Sequence, residues 1–237
     1  RILLNYRVEP ECIERLLPSG FRPTLVKGYS IAGVCLIRME DMRPLGLCST
    51  IGFSSENSAH RIAVEWDDES GETQEGVFIP RRDTDSRLNS LAGGRIFPGV
   101  HHLSKFQIED RAGKISIVIK AKDFAAPLVH LSVAETTTFP RTSVFASLDD
   151  ASCFFAAGCV GYSTRPNSCI LDGLSLRTSE WMVSPLSVSQ VESAYFDDPV
   201  IFPPERIEFD HALLMRDIPH EWHSEPEIDS EPVARFR

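Results

Sequence analysis

The sequence predicts an α+β fold, mainly β, built on one large antiparallel sheet or barrel. Three observations point there. Strand-like apolar runs recur along the whole chain, each set off by Gly, Pro, Asp or Asn turn signals. Only two stretches of useful length carry helix start and stop signals. No internal repeat or low-complexity linker divides the 237 residues, so one large domain is expected.

The elements follow in order. Ile2 to Val8 reads as a strand. Residues 10–17 read as a short helix: Pro10 suits the first turn, Ile13, Leu16 and Leu17 share a face, and Pro18-Ser19-Gly20 stop it. Residues 29–38 form a long apolar run, a buried strand with a close approach or bend at Gly33. Residues 39–53 hold Pro44, Gly46 and Gly52 and read as loop. Residues 58–67 and 75–82 read as a strand pair joined by Asp68-Glu69-Ser70-Gly71.

The centre of the chain is DTDSRLNSLAGGRIFPGVHHLSKF, residues 83–106. A helix is predicted over residues 85–92, capped by Asp83 or Thr84 and ended by Gly93 and Gly94. Pro98-Gly99 turns the chain, and His101 and His102 open the next strand. Residues 107–122 are the clearest hairpin, turning at Asp110-Arg111-Ala112-Gly113 with Ile115, Ile117 and Ile119 on one face. Residues 128–139 give another strand. Residues 147–157 give the second helix, with Ser147 as cap, Asp149 and Asp150 in the first turn and Gly158 at the end. Residues 174–196 and 206–215 read as strands. Residues 224–237 are acidic and read as a loosely held tail, leaving 1–223 as the barrel domain.

The composition excludes some functions. A formal net charge of −10 argues against nucleic acid, because phosphate binding needs clustered cations. Only five of the 24 basic residues are lysines, at positions 27, 105, 114, 120 and 122. No apolar run approaches roughly 18 residues, so no membrane span is expected. The six cysteines form no C-x-x-C pair and read as buried free thiols of a reducing, cytoplasmic compartment. No signal peptide is visible. Cys153 and Cys159 read as packing residues on a helix face.

Several segments together resemble the acetoacetate decarboxylase superfamily, and within it a large uncharacterised bacterial branch. They are NYRVEPECIERLLPSGF (residues 5–21), SENSAHRIAVEW (55–66), the central stretch, FFAAGCVGYS (154–163), FDDPVIFPP (196–204) and FDHALLMRDIPHEWH (209–223). The resemblance implies a closed, bent antiparallel barrel with an interior pocket and flanking helices. In the decarboxylases a pocket lysine forms a Schiff base with a β-keto acid, and a second lysine lowers its pKa; that enzyme is the standard example of a lysine activated by a cationic neighbour. Laid without gaps on this chain, that lysine pair falls on His101 and His102. An imidazole forms no such imine, so classical decarboxylation is not expected here. Lys105 is the one nearby amine, about 13 Å along the strand at about 3.3 Å per residue. Glu56 matches the family's pocket glutamate, whereas a second one falls near Gly33 or Val34 and is lost. The family's first arginine falls at or before Arg1.

The resulting candidates stand beside plainer readings. His101 and Glu56 form a candidate acid/base pair, in which the carboxylate would raise the histidine's pKa; the alternative is a histidine bonded to backbone in a filled barrel. His102, Arg81 and Arg95 are candidate substrate-binding groups, an arginine gripping a carboxylate in bidentate fashion; the alternative is a solvated charged face or a salt bridge to Asp83 or Asp85. Tyr162 and Arg165 follow the second helix and read as structural. A metal site would need His60, His101 or His102 and Glu56 to converge, which fits no standard ligand spacing. The expected ligand is therefore a small carbonyl or carboxylate compound in the barrel interior, with no cofactor and no metal. Proton-transfer enzyme and non-catalytic metabolite-binding or structural barrel both remain open, as does a homo-oligomer.

Overall fold

The computed structural model describes residues 1–43, 52–87, 90, 98–165 and 168–230. Among them, fourteen strands join into one sheet. In chain order these are β1 (Ile2–Val8), β2 (Arg22–Pro23), β3 (Leu25–Val26), β4 (Tyr29–Met42), β5 (Phe53–Asp67), β6 (Thr73–Thr84) and β7 (His101–Arg111). There follow β8 (Lys114–Ala121), β9 (Val129–Glu135), β10 (Val160–Thr164), β11 (Ile170–Arg177), β12 (Ser184–Ser193), β13 (Ile207–Leu214) and β14 (Glu221–Asp229). Two α-helices are described, α1 (Pro10–Glu14) and α2 (Leu148–Ala157).

Nine strands close into a barrel in the order β6-β7-β8-β9-β12-β13-β1-β4-β5, with β5 pairing back onto β6. The antiparallel expectation holds for most of this ring but not all of it. β7 runs parallel to β6, and β10 joins the outer part of β6 in parallel. The cause lies in the connection. A parallel neighbour needs a crossover of about a dozen residues or more, and residues 85–100 supply it. Within that crossover the Ser90 N–H bonds the Ser86 carbonyl at 3.1 Å, one helical turn. Half of the helix predicted over 85–92, and Arg95, lie outside the described residues.

Period-2 alternation sorts side chains between two cores. Leu4 and Tyr6 of β1, Val34 of β4, Ile62 of β5, Ile117 of β8 and Leu131 of β9 meet inside the barrel. Leu3, Cys35, Ala59 and Ile79, from the same strands and β6, face outward and pack under α2 with Phe145 and Phe155. Ser147 caps α2 by accepting from the Asp150 N–H at 3.1 Å, and Gly158 ends it, as the sequence indicates. Gly33 allows β1 and β4 to close up: a Cβ there would sit 1.9 Å from the Leu4 carbonyl oxygen. The β7–β8 hairpin turns through Ala112 and Gly113, both at positive φ.

Several boundaries differ from expectation: the first helix stops at Glu14, and the run read as a strand over 174–196 is split between β11 and β12. β4 and β5 extend into the stretch read as loop, through Met42 and from Phe53. The loose tail is corrected for residues 224–229: they belong to β14, which pairs with β11 from Ile170–Asp229 to Arg177–Glu221. An alternating charged strand on a sheet edge resembles a solvated tail in composition, and only its pairing separates the two.

Candidate functional site

One end of the barrel opens into a cavity of about 1100 Å³. Alternation on the β7–β8 hairpin sends Phe106, Ile108, Ile115 and Ile117 into it, and Leu36 and Leu214 complete its apolar wall. Charged groups ring the opening. Arg38 of β4 and Glu56 of β5 are cross-strand partners, and the Arg38 Nε–H donates to Glu56 Oε1. Arg216 donates to Asp110 Oδ2 at 2.8 Å and to Glu135 Oε1 at 2.7 Å. Burial pushes the Glu56 carboxyl above the usual carboxylate range, against the pull of Arg38.

The matched histidine lies elsewhere. His101 pairs with Arg82, and Arg82 pairs across the ladder with Ala59. Partners in register share a face, and Glu56 is three residues from Ala59 with no bulge between them. Glu56 therefore faces the interior and His101 the outer side of the wall. The acid/base pair read from the sequence is not assembled. Burial holds the His101 pKa down to about 4, helped by the Arg82 guanidinium and opposed by a hydrogen bond to the Gly99 backbone.

His102 faces inward with Arg81 and Asp83. Burial lowers its pKa, as does the Arg81 cation, and its Nδ1 lies 3.8 Å from Asp123 Oδ2. Arg81 does not offer the expected free fork. It donates to both Asp83 oxygens at 2.8 Å and to both Asp123 oxygens, with the Phe124 ring 5.0 Å from its guanidinium carbon. The salt bridge to Asp83, the plainer alternative, is the one found. Lys105 shares the outward face of His101 and is exposed. The five described cysteines are free thiols, two of them buried; Cys48 lies outside the described residues. Among the described residues no three His, Cys, Asp or Glu side chains converge as a metal site, and no helix is long and apolar enough to cross a membrane.

Sequence reasoning missed a buried polar chain on the outer face. Asp210 accepts from the Ser143 hydroxyl and from the Val144 N–H at 2.9 Å. Burial would raise its pKa, but these bonds and that to His211 hold the carboxyl below its ordinary range. His211 Nδ1 meets Asp210 Oδ1, which assigns the ring proton to Nδ1. Its Nε2 then accepts from the Asn5 amide at 3.0 Å, and Asn5 Oδ1 accepts from Arg61. Asn5, Arg61 and Asp210-His211 come from β1, β5 and β13, and from three of the segments that carry the family resemblance. The available signal was polar residues interrupting apolar strands, as in ILLNYRV and AHRIAV. His60 is another such residue. It is fully buried in the interior, its ring centroid 4.7 Å from that of Tyr195 in a tilted contact, and burial drives its pKa down to about 3.

Comparison with known proteins agrees with this architecture. No curated protein matches the sequence. Among solved structures, acetoacetate decarboxylase from Legionella pneumophila matches with a TM-score of 0.58 at 14% identity, over 98% of this chain and 84% of that one. An acetoacetate decarboxylase-like enzyme from Sphingomonas wittichii RW1 matches at 0.56 and 14%, over 97% and 90%. The enduracididine biosynthesis enzyme MppR, complexed with pyruvate, matches at 0.50 and 13%, over 90% and 82%. At these identities the likeness establishes the fold, that of the acetoacetate decarboxylase-like proteins. A family model, DUF2071, described as an uncharacterised conserved protein, matches residues 1–208, and the chain belongs to that family.

Proposed function

We propose that this protein binds a small carbonyl or carboxylate compound in the barrel-mouth cavity. The observation that carries the reading is the cavity itself: Phe, Ile and Leu side chains form one part of its wall, and charged side chains of both signs, Arg38, Glu56 and Arg216 among them, form about as much of the rest. Small-molecule sites are concave and use polar groups that converge on the ligand beside apolar side chains that take its carbon skeleton. Arg38 uses its Nε on Glu56, and its terminal nitrogens have no partner among the described residues. They suit a carboxylate approached edge-on. Glu56, with its raised pKa, is the group suited to hold a proton against the ligand's carbonyl oxygen. The pyruvate bound in MppR, on a similar fold, supports a small keto acid as the ligand class. Free thiols at the five described cysteines support a reducing, cytoplasmic setting.

The second reading is a binding or structural barrel without catalysis. The separation of Glu56 from His101, and the filling of the barrel's middle by Tyr6, His60, Tyr195 and Phe196, favour it over proton-transfer chemistry. Calorimetric titration with pyruvate and acetoacetate tests the binding itself. Arg38→Met should weaken binding by roughly ten- to hundredfold, the range of one charged hydrogen-bonding group at about 1.5–3 kcal/mol. Unchanged affinity in Arg38→Met, or no binding by the unmodified protein, sinks the barrel-mouth reading.

A further inference from the structure

A second cavity, of about 70 Å³, lies on the other side of the barrel wall beneath α2. It is well above the roughly 10–15 Å³ that one water needs. It is far below the roughly 300–1,000 Å³ of a pocket for larger ligands. Its wall is apolar where α2 and the strands meet: Ala59, Ala63, Phe154, Phe155 and Gly161 line it. Arg61 and Arg82 also line it.

These two side chains are neighbours by construction. Arg82 sits across the ladder from Ala59, two residues before Arg61, so both point outward. Arg61 is 5% exposed and Arg82 is partly buried. Among the described residues neither forms an ion pair. Arg61 donates to Asn5 Oδ1, and its Nε has no partner among the described residues. Arg82 donates through Nε to the Ser163 hydroxyl at 3.2 Å. A third cation, Arg1, also lines the cavity and lowers the Arg61 pKa; its Nε–H is turned to the Cys35 sulfur at 3.1 Å. Glu75 is the one carboxylate on the rim; it is exposed and pairs with neither arginine.

Two guanidiniums at one largely buried cavity, paired with no carboxylate among the described residues and facing only the Cys35 thiol as an acidic group, are costly unless something negative joins them. Burial pulls both below the usual arginine range, to about 10, which is the same imbalance seen from the proton's side. The chain Asp210–His211–Asn5 does not remove it. Its carboxylate is separated from Arg61 by two neutral groups, and its last member fixes one Arg61 nitrogen in place. The Phe155 ring, 4.7 Å from the Arg61 guanidinium carbon, holds the plane of the fork.

We propose that this cavity is an anion site, in which Arg61 and Arg82 together grip the carboxylate of a small monocarboxylic acid. Planar forks match a carboxylate, the size limits the acid to a few carbons, and the apolar wall takes its short tail. This cavity adjoins the barrel mouth, sharing Arg1, Ile37, Leu176 and Trp222 with its lining, but Arg61 and Arg82 line only the smaller cavity and Arg38 and Glu56 only the larger.

The test uses the full chain, titrated calorimetrically with sodium acetate and sodium pyruvate at constant ionic strength. Chloride and phosphate are the comparison anions. Saturable binding of acetate is expected, and Arg61→Met and Arg82→Met should each weaken it roughly thirtyfold or more. Arg82→Lys, which keeps the charge and loses the fork, should fall between. Arg38→Met and Glu56→Gln should leave this event unchanged, which separates it from binding at the barrel mouth. A measurement free of any variant completes the test: transferred magnetisation from the methyl group of ¹³C-acetate should reach the ring protons of Phe154 and Phe155. Several results overturn the proposal. They are no saturable acetate binding, a preference for chloride or phosphate, retention of binding in both methionine variants, or methyl contacts to Phe106 and Ile108 instead.

Discussion

Arg81→Met is the perturbation whose magnitude follows most directly from the structure. Asp83 is 0% exposed. Its carboxylate takes two bonds from Arg81 and one from the Ser104 hydroxyl, each at 2.8 Å. Removing Arg81 leaves a buried carboxylate with a single hydroxyl donor. Breaking a buried pair from one side costs about 3–5 kcal/mol, because the remaining charge stays desolvated. The outer half of the cluster adds little: Asp123 is 45% exposed at its side chain, and exposed pairs contribute about 0–1 kcal/mol. For a chain of this length about 1 kcal/mol shifts the melting temperature by about 2–4 °C, so Arg81→Met should melt about 6–20 °C lower. Asp123→Asn should cost less than about 1 kcal/mol. The double variant Arg81→Met/Asp83→Asn should recover part of the loss, since no charge is then left inside. Thermal and urea unfolding of the four proteins measure all three terms. A cost below about 1 kcal/mol for Arg81→Met, or no recovery in the double variant, would refute the view that Asp83 is a charged, dry group held by Arg81.

Three further outcomes are expected. Glu56→Gln should leave the His101 titration where it is, near 4, because the two side chains lie on opposite faces; a displaced midpoint by NMR would contradict the register. His60 and His101 stay neutral in the fold at pH values where an unfolded histidine, near 6.5, already binds a proton. The unfolded chain thus holds more protons between about pH 6.5 and 4, so stability should fall as pH falls through that window, and His60→Leu should flatten the slope in acid denaturation curves. Gly33→Ala should prevent folding or sharply lower the yield of soluble protein, because the added methyl would overlap the Leu4 carbonyl; a variant that melts like the parent protein would show that β1 and β4 can move apart.

Much of the fold was legible in the chain. The hairpin at residues 110–113, the capped helix after Ser147 and the close approach at Gly33 each follow from local chemistry: a positive-φ turn, a hydroxyl cap, a missing Cβ. Less of the candidate site was legible. Glu56 does line the interior, and His102 faces away from His101, as alternation along a strand requires. The partner expected for Glu56 was the wrong one, and for Arg81 the plainer alternative, the salt bridge to Asp83, is the one found. Arg38 rather than His101 holds Glu56, and Asp83 with Asp123 occupies the fork of Arg81.

By itself the sequence determined which side chains alternate along each strand, where the chain turns and which residues resist burial without a partner. Those are properties of period, dihedral preference and solvation, and they act over a few residues. Only the tertiary structure decided which strands are neighbours and in what register. The crossover after Thr84 lays β7 parallel to β6, and that one pairing sends His101 outward and His102 inward. The adjacency of β13, β1, β4 and β5 in the sheet brings Asn5, Arg61 and His211 together from positions up to 206 residues apart in the chain. A polar residue inside an apolar strand announces that it needs a partner. The partner itself is set by long-range pairing, and a one-residue shift in register would exchange every inward side chain for an outward one.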